Sequence, residues 1–254
     1  MLVLRRLFPV WFRVGGACHQ RWTRPDSLTV VLLSYGRPAN LDAIVAACIA
    51  CPFVGRVILS NNNPAVDIRR FLRHEDPRLE VIWQPMRCYP SKRYELALES
   101  EGAWFLCIDD DTFLTPWQIR SLFEALLGDE RVPHGIAGEI HRRDGGIDYV
   151  FGNPGRPDAA DCLVWAFAFT RRHVERYFAL LHGLGIVNAE LLANEDVVLS
   201  LTGEGPALVH YFGTLHLCGS RNAADVATSQ QPGFRQQRED LLRTTRAVAS
   251  SSGA

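Results

Sequence analysis

Trp104-Phe105-Leu106-Cys107-Ile108-Asp109-Asp110-Asp111-Thr112 is an apolar run of strand length that ends in three consecutive carboxylates. Such a run reads as a buried strand of an α/β sheet. Ligands of open α/β sheets gather outside the carboxyl ends of the strands, which is where these acids fall. Adjacent negative charges repel and raise one another's pKa, and a cation relieves the repulsion. Hard divalent ions such as Mg²⁺ and Mn²⁺ take oxygen ligands and are shared with substrate phosphates. The segment therefore points to a metal-bridged diphosphate site. The plainer reading is a solvated acidic turn ahead of a helix that starts near Thr115-Pro116.

On the amino-terminal side the rhythm is regular. Leu28-Thr29-Val30-Val31-Leu32-Leu33-Ser34 is β-branched and apolar and forms the first expected strand. Tyr35-Gly36-Arg37-Pro38 is a turn, and Asn40 stands where it can cap a helix that Pro52 ends. Further strands are expected over 54–60, 79–83 and 103–108, with a short helix over 67–74 and another over 93–100. The alternation predicts an α/β domain with a Rossmann-like, mostly parallel sheet flanked by helices. After a helix over 117–127 the pattern changes. Strands are expected over 135–140 and 147–151, around a charged turn. An apolar stretch at 162–170, a helix over 173–181, another helix from 197 and a late strand over 208–212 follow. Residues 219–233 read as a polar loop, and 234–248 carry weak helical character.

With 254 residues, 47% of them hydrophobic, the chain can bury a sizeable core. The expected organisation is an extension over 1–25, one domain over 26–248 and a tail over 249–254. A net charge of −1 gives no field for nucleic acid. Seven cysteines, an odd number with several in apolar runs, suit a reducing compartment, so a cytoplasmic location is expected. Cys48 and Cys51 lie inside a helical pattern with no second pair, and read as buried small hydrophobes rather than a redox or zinc motif. No apolar run approaches the roughly 20 residues of a membrane span. Residues 1–22 mix Leu, Val, Phe and Trp with Arg5, Arg6 and Arg13, which makes a poor signal peptide. A basic amphipathic segment peripheral to a membrane, an element packed on the domain and a disordered extension stay open.

Asp109-Asp110-Asp111 contains a D-x-D element, and Asn194-Glu195-Asp196-Val197 brings a second acid pair about 85 residues on. A parallel half followed by these acids resembles the GT-A fold of glycosyltransferases that use nucleotide sugars. Finer motifs resemble the exostosin-like family, glycosyltransferase family 64. Ser34-Tyr35-Gly36-Arg37 is similar to that family's T-Y-x-R entry, and Val57-Ile58-Leu59-Ser60-Asn61-Asn62 to its V-I-V-x-N-N run. Arg93, sixteen residues before Asp109, has the spacing of a nucleotide-contacting arginine, and Asp109-Asp110-Asp111-Thr112 matches D-D-D-T. Asn194-Glu195-Asp196-Val197 resembles N-x-D-D-I, with Glu195 replacing the first acid. Gly233-Phe234-x-x-x-Arg238 resembles G-H-x-x-x-R, with Phe234 replacing histidine. The order is kept over about 28–245, and residues 1–25 are not covered.

The resemblance implies transfer of a sugar, an N-acetylhexosamine, from a UDP-sugar to a saccharide or glycan acceptor with retention of configuration, and Mn²⁺ or Mg²⁺ as cofactor. It divides the domain into a nucleotide-binding half, 26–127, and an acceptor-binding half, 128–248. Asp111 would ligate the metal, with Asp109 beside it contacting the ribose or a metal-bound water, and Asp110 counts among the nucleotide-sugar contacts. Arg93 would hold the nucleotide or diphosphate, while Tyr35, Arg37 and Asn61 would line the uridine side. Arg238 would neutralise charge on the departing UDP. Asp196 and Glu195 would sit near the anomeric carbon and the acceptor hydroxyl. Phe234 cannot donate a hydrogen bond, so a diphosphate contact of the family would be missing, with His210 or His216 as substitutes.

Each assignment has a plainer counterpart. Tyr35 and Arg37 could pack the first turn, and residues 61–63 are good turn chemistry. Arg93 could pair with Glu95 or Glu99 at the surface, and Asp196 could cap a helix. Arg142-Arg143 reads as a solvated loop or as a contact for an acidic acceptor. Three rival functions stand beside the retaining enzyme. An inverting one would use Asp196 as general base. A nucleotidyltransferase would carry a glycine-rich basic loop after strand one, which this chain lacks. A non-catalytic nucleotide- or carbohydrate-binding protein is kept open by Phe234.

Overall fold

A computed structural model describes residues 28–142, 144–191, 194–219, 230 and 232–251. The amino-terminal extension and its membrane reading, Arg143, the end of the tail and most of the polar loop lie outside the described residues. Among those described, no helix is long and apolar enough to cross a membrane.

β1 (Leu28–Ser34), β2 (Val54–Asn61), β3 (Leu79–Trp83) and β4 (Trp104–Ile108) are the four strands expected of the first half, and they pair in parallel, β1 lying between β2 and β4. They are joined through α1 (Leu41–Ile49) and α2 (Lys92–Glu99), with a 3₁₀ turn at Ile68–Phe71 in place of the short helix over 67–74. β5 (Thr112–Phe113) and α3 (Pro116–Gly128) follow the acid triplet. α3 begins as its sequence dictates. Thr115 accepts from the Gln118 amide, Gln118 reaches back to the Thr115 amide, and Pro116 sits where no amide donor is needed.

The second half contributes short strands. β6 (His134–Gly135), β9 (Asp158–Ala160), β11 (Ala166–Thr170) and β12 (Ala207–Val209) complete an eight-stranded sheet of order β3-β2-β1-β4-β11-β6-β12-β9. β11 runs antiparallel to β4. A second sheet of three strands has the order β10-β7-β8, from β7 (Gly138–His141), β8 (Ile147–Val150) and β10 (Cys162–Leu163). The strand expected over 135–140 is thus two strands in two sheets. Gly138 permits the crossing, because a Cβ there would lie 2.7 Å from both Ala160 Cβ and Val209 Cγ2. The late strand ends at Val209 instead of Phe212. β13 (His216–Leu217) pairs with β5, and the Cys218 amide donates to the Asp111 carbonyl at 2.7 Å.

The central strands of the main sheet are buried on both faces, which explains the apolar runs of β1 and β4. Leu28, Val30, Leu32, Leu106 and Ile108 pack with α1 and α3. Val31, Phe105 and Cys107 pack on the other face with α2, α4 (Arg171–Leu184), α5 (Glu195–Ser200) and α6 (Phe234–Ser251). Each such Leu, Ile or Phe contributes roughly 1.5–3 kcal/mol of burial. Cys48 and Cys51 are buried free thiols within the first of these cores. Asn40 does not cap α1 through its side chain. Its Nδ2 donates instead to the Asp110 carbonyl, 2.7 Å away.

Candidate active site

The carboxyl ends of β1 and β4 and the first turns of α2 and α5 open onto one cleft of about 990 Å³. Leu32 pairs with Ile108 in the parallel register, so the turns that follow the two strands emerge side by side. Asp110 fastens them together. Its Oδ1 accepts from Arg37 Nη1 at 2.9 Å and its Oδ2 from the Tyr35 amide at 3.3 Å. Asp109 Oδ1 accepts from Arg93 Nη2 at 2.8 Å. Asp111 Oδ2 lies 3.4 Å from Arg37 Nη2, and the Thr112 hydroxyl donates to its Oδ1 at 3.3 Å. Burial, reinforced by the charge of Asp109, pushes the Asp111 carboxyl up to about 6. Burial raises Asp109 as well, against the pull of Arg93.

These acids do not form a closed cage. Among the described residues, three ligand atoms of His, Cys, Asp or Glu converge within 4.8 Å only at Glu139, His141 and Cys162. A divalent ion completed by water and substrate phosphates needs only one or two carboxylates. The donors at Asp109 and Asp111 are carboxylate oxygens, and burial together with the neighbouring Asp109 and Asp110 charges raises Asp111, a repulsion that a cation would relieve. The residues therefore fit Mg²⁺ or Mn²⁺.

The late acid pair lies at the start of α5. Glu195 is 4% exposed, its Oε1 is 3.4 Å from Arg93 Nε, and its Oε2 has no hydrogen-bond partner among the described residues. Burial, with Asp196 adding to it and Arg93 opposing, pushes Glu195 up to about 8. Asp196 is gripped by Arg238, Nη1 to Oδ1 at 2.6 Å and Nη2 to Oδ2 at 2.9 Å. Arg238 also donates from Nε to Glu139 Oε2 at 2.6 Å. Despite burial, the His141 hydrogen bond and the Arg238 charge hold Glu139 below the ordinary glutamate value. Arg238 therefore sits between two carboxylates, so little of its charge is left over for a leaving diphosphate. The surface reading of Arg93 does not apply, because Glu95 pairs with Lys92 and Asn188.

Two expected positions come out differently. Asn61 is fully buried away from the cleft, its Nδ2 donating to the Val66 carbonyl and its Oδ1 accepting from the Asn63 amide. Its neighbour Asn62 lines the cleft instead. His210 reaches the cleft but bonds His134, Nε2 to Nδ1 at 2.8 Å, and stacks on Phe212. Burial and His134 bring His210 down to about 4, so it is a neutral ring near neutrality, not a cation for phosphate. His216 lies in β13. Phe234 lines the cleft with its ring 5.9 Å from the Arg238 guanidinium carbon.

Sequence reasoning missed three features. Arg87 lies over the faces of Tyr35 and Tyr89, at 4.5 and 5.1 Å from the ring centroids, and no pattern in its loop signals this. Glu139 was hidden inside an ordinary strand. Trp165 has φ 68°, alone among the described non-glycine residues in being positive. The Ala166 amide donates to the Val164 carbonyl at 2.8 Å, so Trp165 is the centre of a γ-turn of the rarer, strained hand. Such a conformation costs about 1–3 kcal/mol. The Trp165 carbonyl accepts from the Asp109 amide at 2.8 Å, which ties this turn to the metal-fitting acids.

Solved structures share this arrangement of strands. A mannosyltransferase from Pyrobaculum calidifontis, in complex with GDP-Man and Mn²⁺, superposes with TM-score 0.53 at 15% identity, over 100% of this chain and 85% of that one. The chain has a GT-A fold. GalNAc-T7 with UDP, GalNAc and Mn²⁺ gives TM-score 0.52 at 10% identity, over 82% of this chain and 51% of that one. S. aureus TarS 1-349 is more distant, at TM-score 0.49 and 14% identity, over 77% of this chain. The chain spans 61% of the TarS structure and about half of GalNAc-T7. No protein-family model and no curated protein matches the sequence. The finer likeness to the exostosin-like family rests on the motifs alone.

Proposed function

We propose that this chain is a glycosyltransferase that uses a UDP-sugar with Mn²⁺ or Mg²⁺ and moves an N-acetylhexosaminyl unit onto a saccharide acceptor with retention of configuration. The observation that carries the reading is Arg93, which bonds Asp109 and lies against Glu195, so the acids after β4 and those opening α5 face one cleft. Residues 26–127 would hold the nucleotide and 128–248 the acceptor, within one unit over 26–248. The complexes named above, with GDP-Man or with UDP and GalNAc, support a nucleotide-sugar donor without choosing the base.

Asp111 and Asp109 would hold the ion, which when bound neutralises a diphosphate leaving group. Tyr35, with Arg87 over its ring, offers a flat wall for a base. Arg37 is committed to Asp110 and Asp111, so it shapes the turn. The acceptor hydroxyl attacks the anomeric carbon on the leaving-group face, the bond from that carbon to the diphosphate oxygen breaks, and the acceptor's proton passes to the departing oxygen. Asp196, its charge fixed in place by Arg238, stabilises the positive centre that develops. Arg238 bonds each of its oxygens while leaving further lone pairs for sugar hydroxyls, which favours this electrostatic role over that of the base an inverting enzyme would need. Glu195, held up at about 8, keeps its proton near neutrality and can donate it in a hydrogen bond to a sugar oxygen.

Calorimetry of UDP in Mn²⁺ and in EDTA tests the donor site. Metal-dependent binding by the wild type is expected, and equal affinity in EDTA would remove the assignment. The anomeric configuration of the product, read by NMR, decides between retention and inversion.

A further inference from the structure

Among the aromatic side chains that the later half of the chain contributes to the cleft are Tyr149, Phe151, Trp165 and Tyr211. Tyr149 is 53% exposed, and Phe151 and Tyr211 are each 46% exposed. The Tyr149 and Trp165 rings stack with centroids 5.7 Å apart and planes 13° from parallel, and Phe151 stands 5.8 Å from Trp165. Gly152 closes the group. It has φ 71°, and a Cβ there would lie 2.5 Å from the Tyr211 amide nitrogen, so the chain after β8 rests directly on residues 210 and 211. The rings are thus placed by backbone rather than gathered by chance on a loop.

The strained γ-turn at Trp165 is an independent sign. A glycine would occupy that turn without strain, yet the bulkiest side chain stands there. Strain of this kind persists where the surroundings overdetermine it, and it clusters at ligand sites. Exposed rings beside buried acids also define the occupant. The C–H face of a pyranose carries slight positive charge and stacks on the negative face of an aromatic ring, while its hydroxyls donate to carboxylates such as Glu139 and Asp196. An aliphatic chain would strip water from these carboxylates and give nothing in return. An acidic saccharide would meet the carboxylates of Glu139 and Asp196, with Arg238 already held by both of them.

We infer that Tyr149, Phe151, Trp165 and Tyr211 form a saccharide subsite, and that its ligand is an uncharged glycan. Naming it the acceptor subsite rests on the glycosyltransferase reading; saccharide binding there does not.

The test uses the full chain without donor. Saturation-transfer NMR and tryptophan fluorescence follow titration with maltotriose, cellotriose, triacetylchitotriose, a glucuronate-terminated disaccharide and a polybasic peptide. UDP calorimetry is run on the same samples. At least one neutral trisaccharide should bind, and Tyr149→Ala and Trp165→Gly should each weaken it by about tenfold or more. UDP affinity should stay within about threefold, which also shows that both variants are folded. The inference is overturned if no neutral saccharide binds, if both variants bind within about twofold of wild type, or if only the peptide or the acidic sugar binds. Saccharide binding without UDP binding would keep the subsite and remove the transferase; UDP binding without saccharide binding would do the reverse.

Discussion

Arg238 is 1% exposed, so its hydrogen bonds must come from Asp196, Glu139 and Asn194. Arg238→Met would leave two acids facing each other with no cation between them. A loss of about 3–5 kcal/mol is expected, seen as a lower denaturant midpoint at unchanged slope. A wild-type midpoint would show that Arg238 is not the keystone of this network. Asp111→Asn is the contrasting case. It removes a charge that burial and Asp109 already disfavour, so the fold should hold or gain slightly while UDP affinity in Mn²⁺ falls by about tenfold or more. Undiminished UDP affinity would take Asp111 out of the metal role. The positions of Asp109 to Asp111 were legible because an apolar strand ending in acids has few other readings. Asn61 was misassigned because neighbouring residues on a strand face opposite ways, so a one-residue error exchanges the turn for the cleft. Nothing local to Trp165 signals a positive φ, since the turn is imposed by β10 and β11 on either side.

Elements of the first half were readable for a reason that also makes them stable: helices cover both faces of the central strands, so β1 and β4 are nearly unbroken apolar runs, while Glu80 interrupts the edge strand β3. Short strands of the second half lack that signature. The 135–140 segment reads as one strand because hydrophobic pattern cannot show a change of sheet, and only the missing Cβ at Gly138 permits it. Gly138→Ala would force a methyl against Ala160, Val209 and the Cys162 carbonyl, and should cost about 1–3 kcal/mol. Thermal melts of this variant beside Thr115→Ala, where loss of the cap on α3 should cost about 1 kcal/mol, separate crowding from capping. A Gly138→Ala protein as stable as wild type would mean that the two sheets can part without penalty.

At the scale of the whole molecule, two buried histidines titrate against two buried acids. Burial brings His173 and His210 from the ordinary 6.5 down to about 4. With the folded value below the unfolded one, the neutral ring's contribution is complete above about 6.5 and is lost as pH falls toward 4. Glu195 and Asp111, both raised, act in the opposite direction over an overlapping range. The difference between wild type and His210→Gln isolates the histidine. Wild type should lose melting temperature relative to the variant as pH drops from about 6.5 to about 4, and parallel profiles would show that His210 titrates normally. The acids that meet at Arg93 were recoverable as separate motifs, but their meeting was not, since about 85 residues of chain and one buried guanidinium lie between them.

The amide of Asp109 and the carbonyl of Trp165 share one hydrogen bond, so the end of β4 and the aromatic turn cannot move independently. A ligand settling on the indole and a ligand settling at the acids would pull on the same peptide link. Linkage then demands symmetry: the factor by which a nucleotide changes saccharide affinity equals the factor by which the saccharide changes nucleotide affinity. Neither partner is required to come first, and a preference for one order of arrival would be a matter of rates rather than of equilibrium.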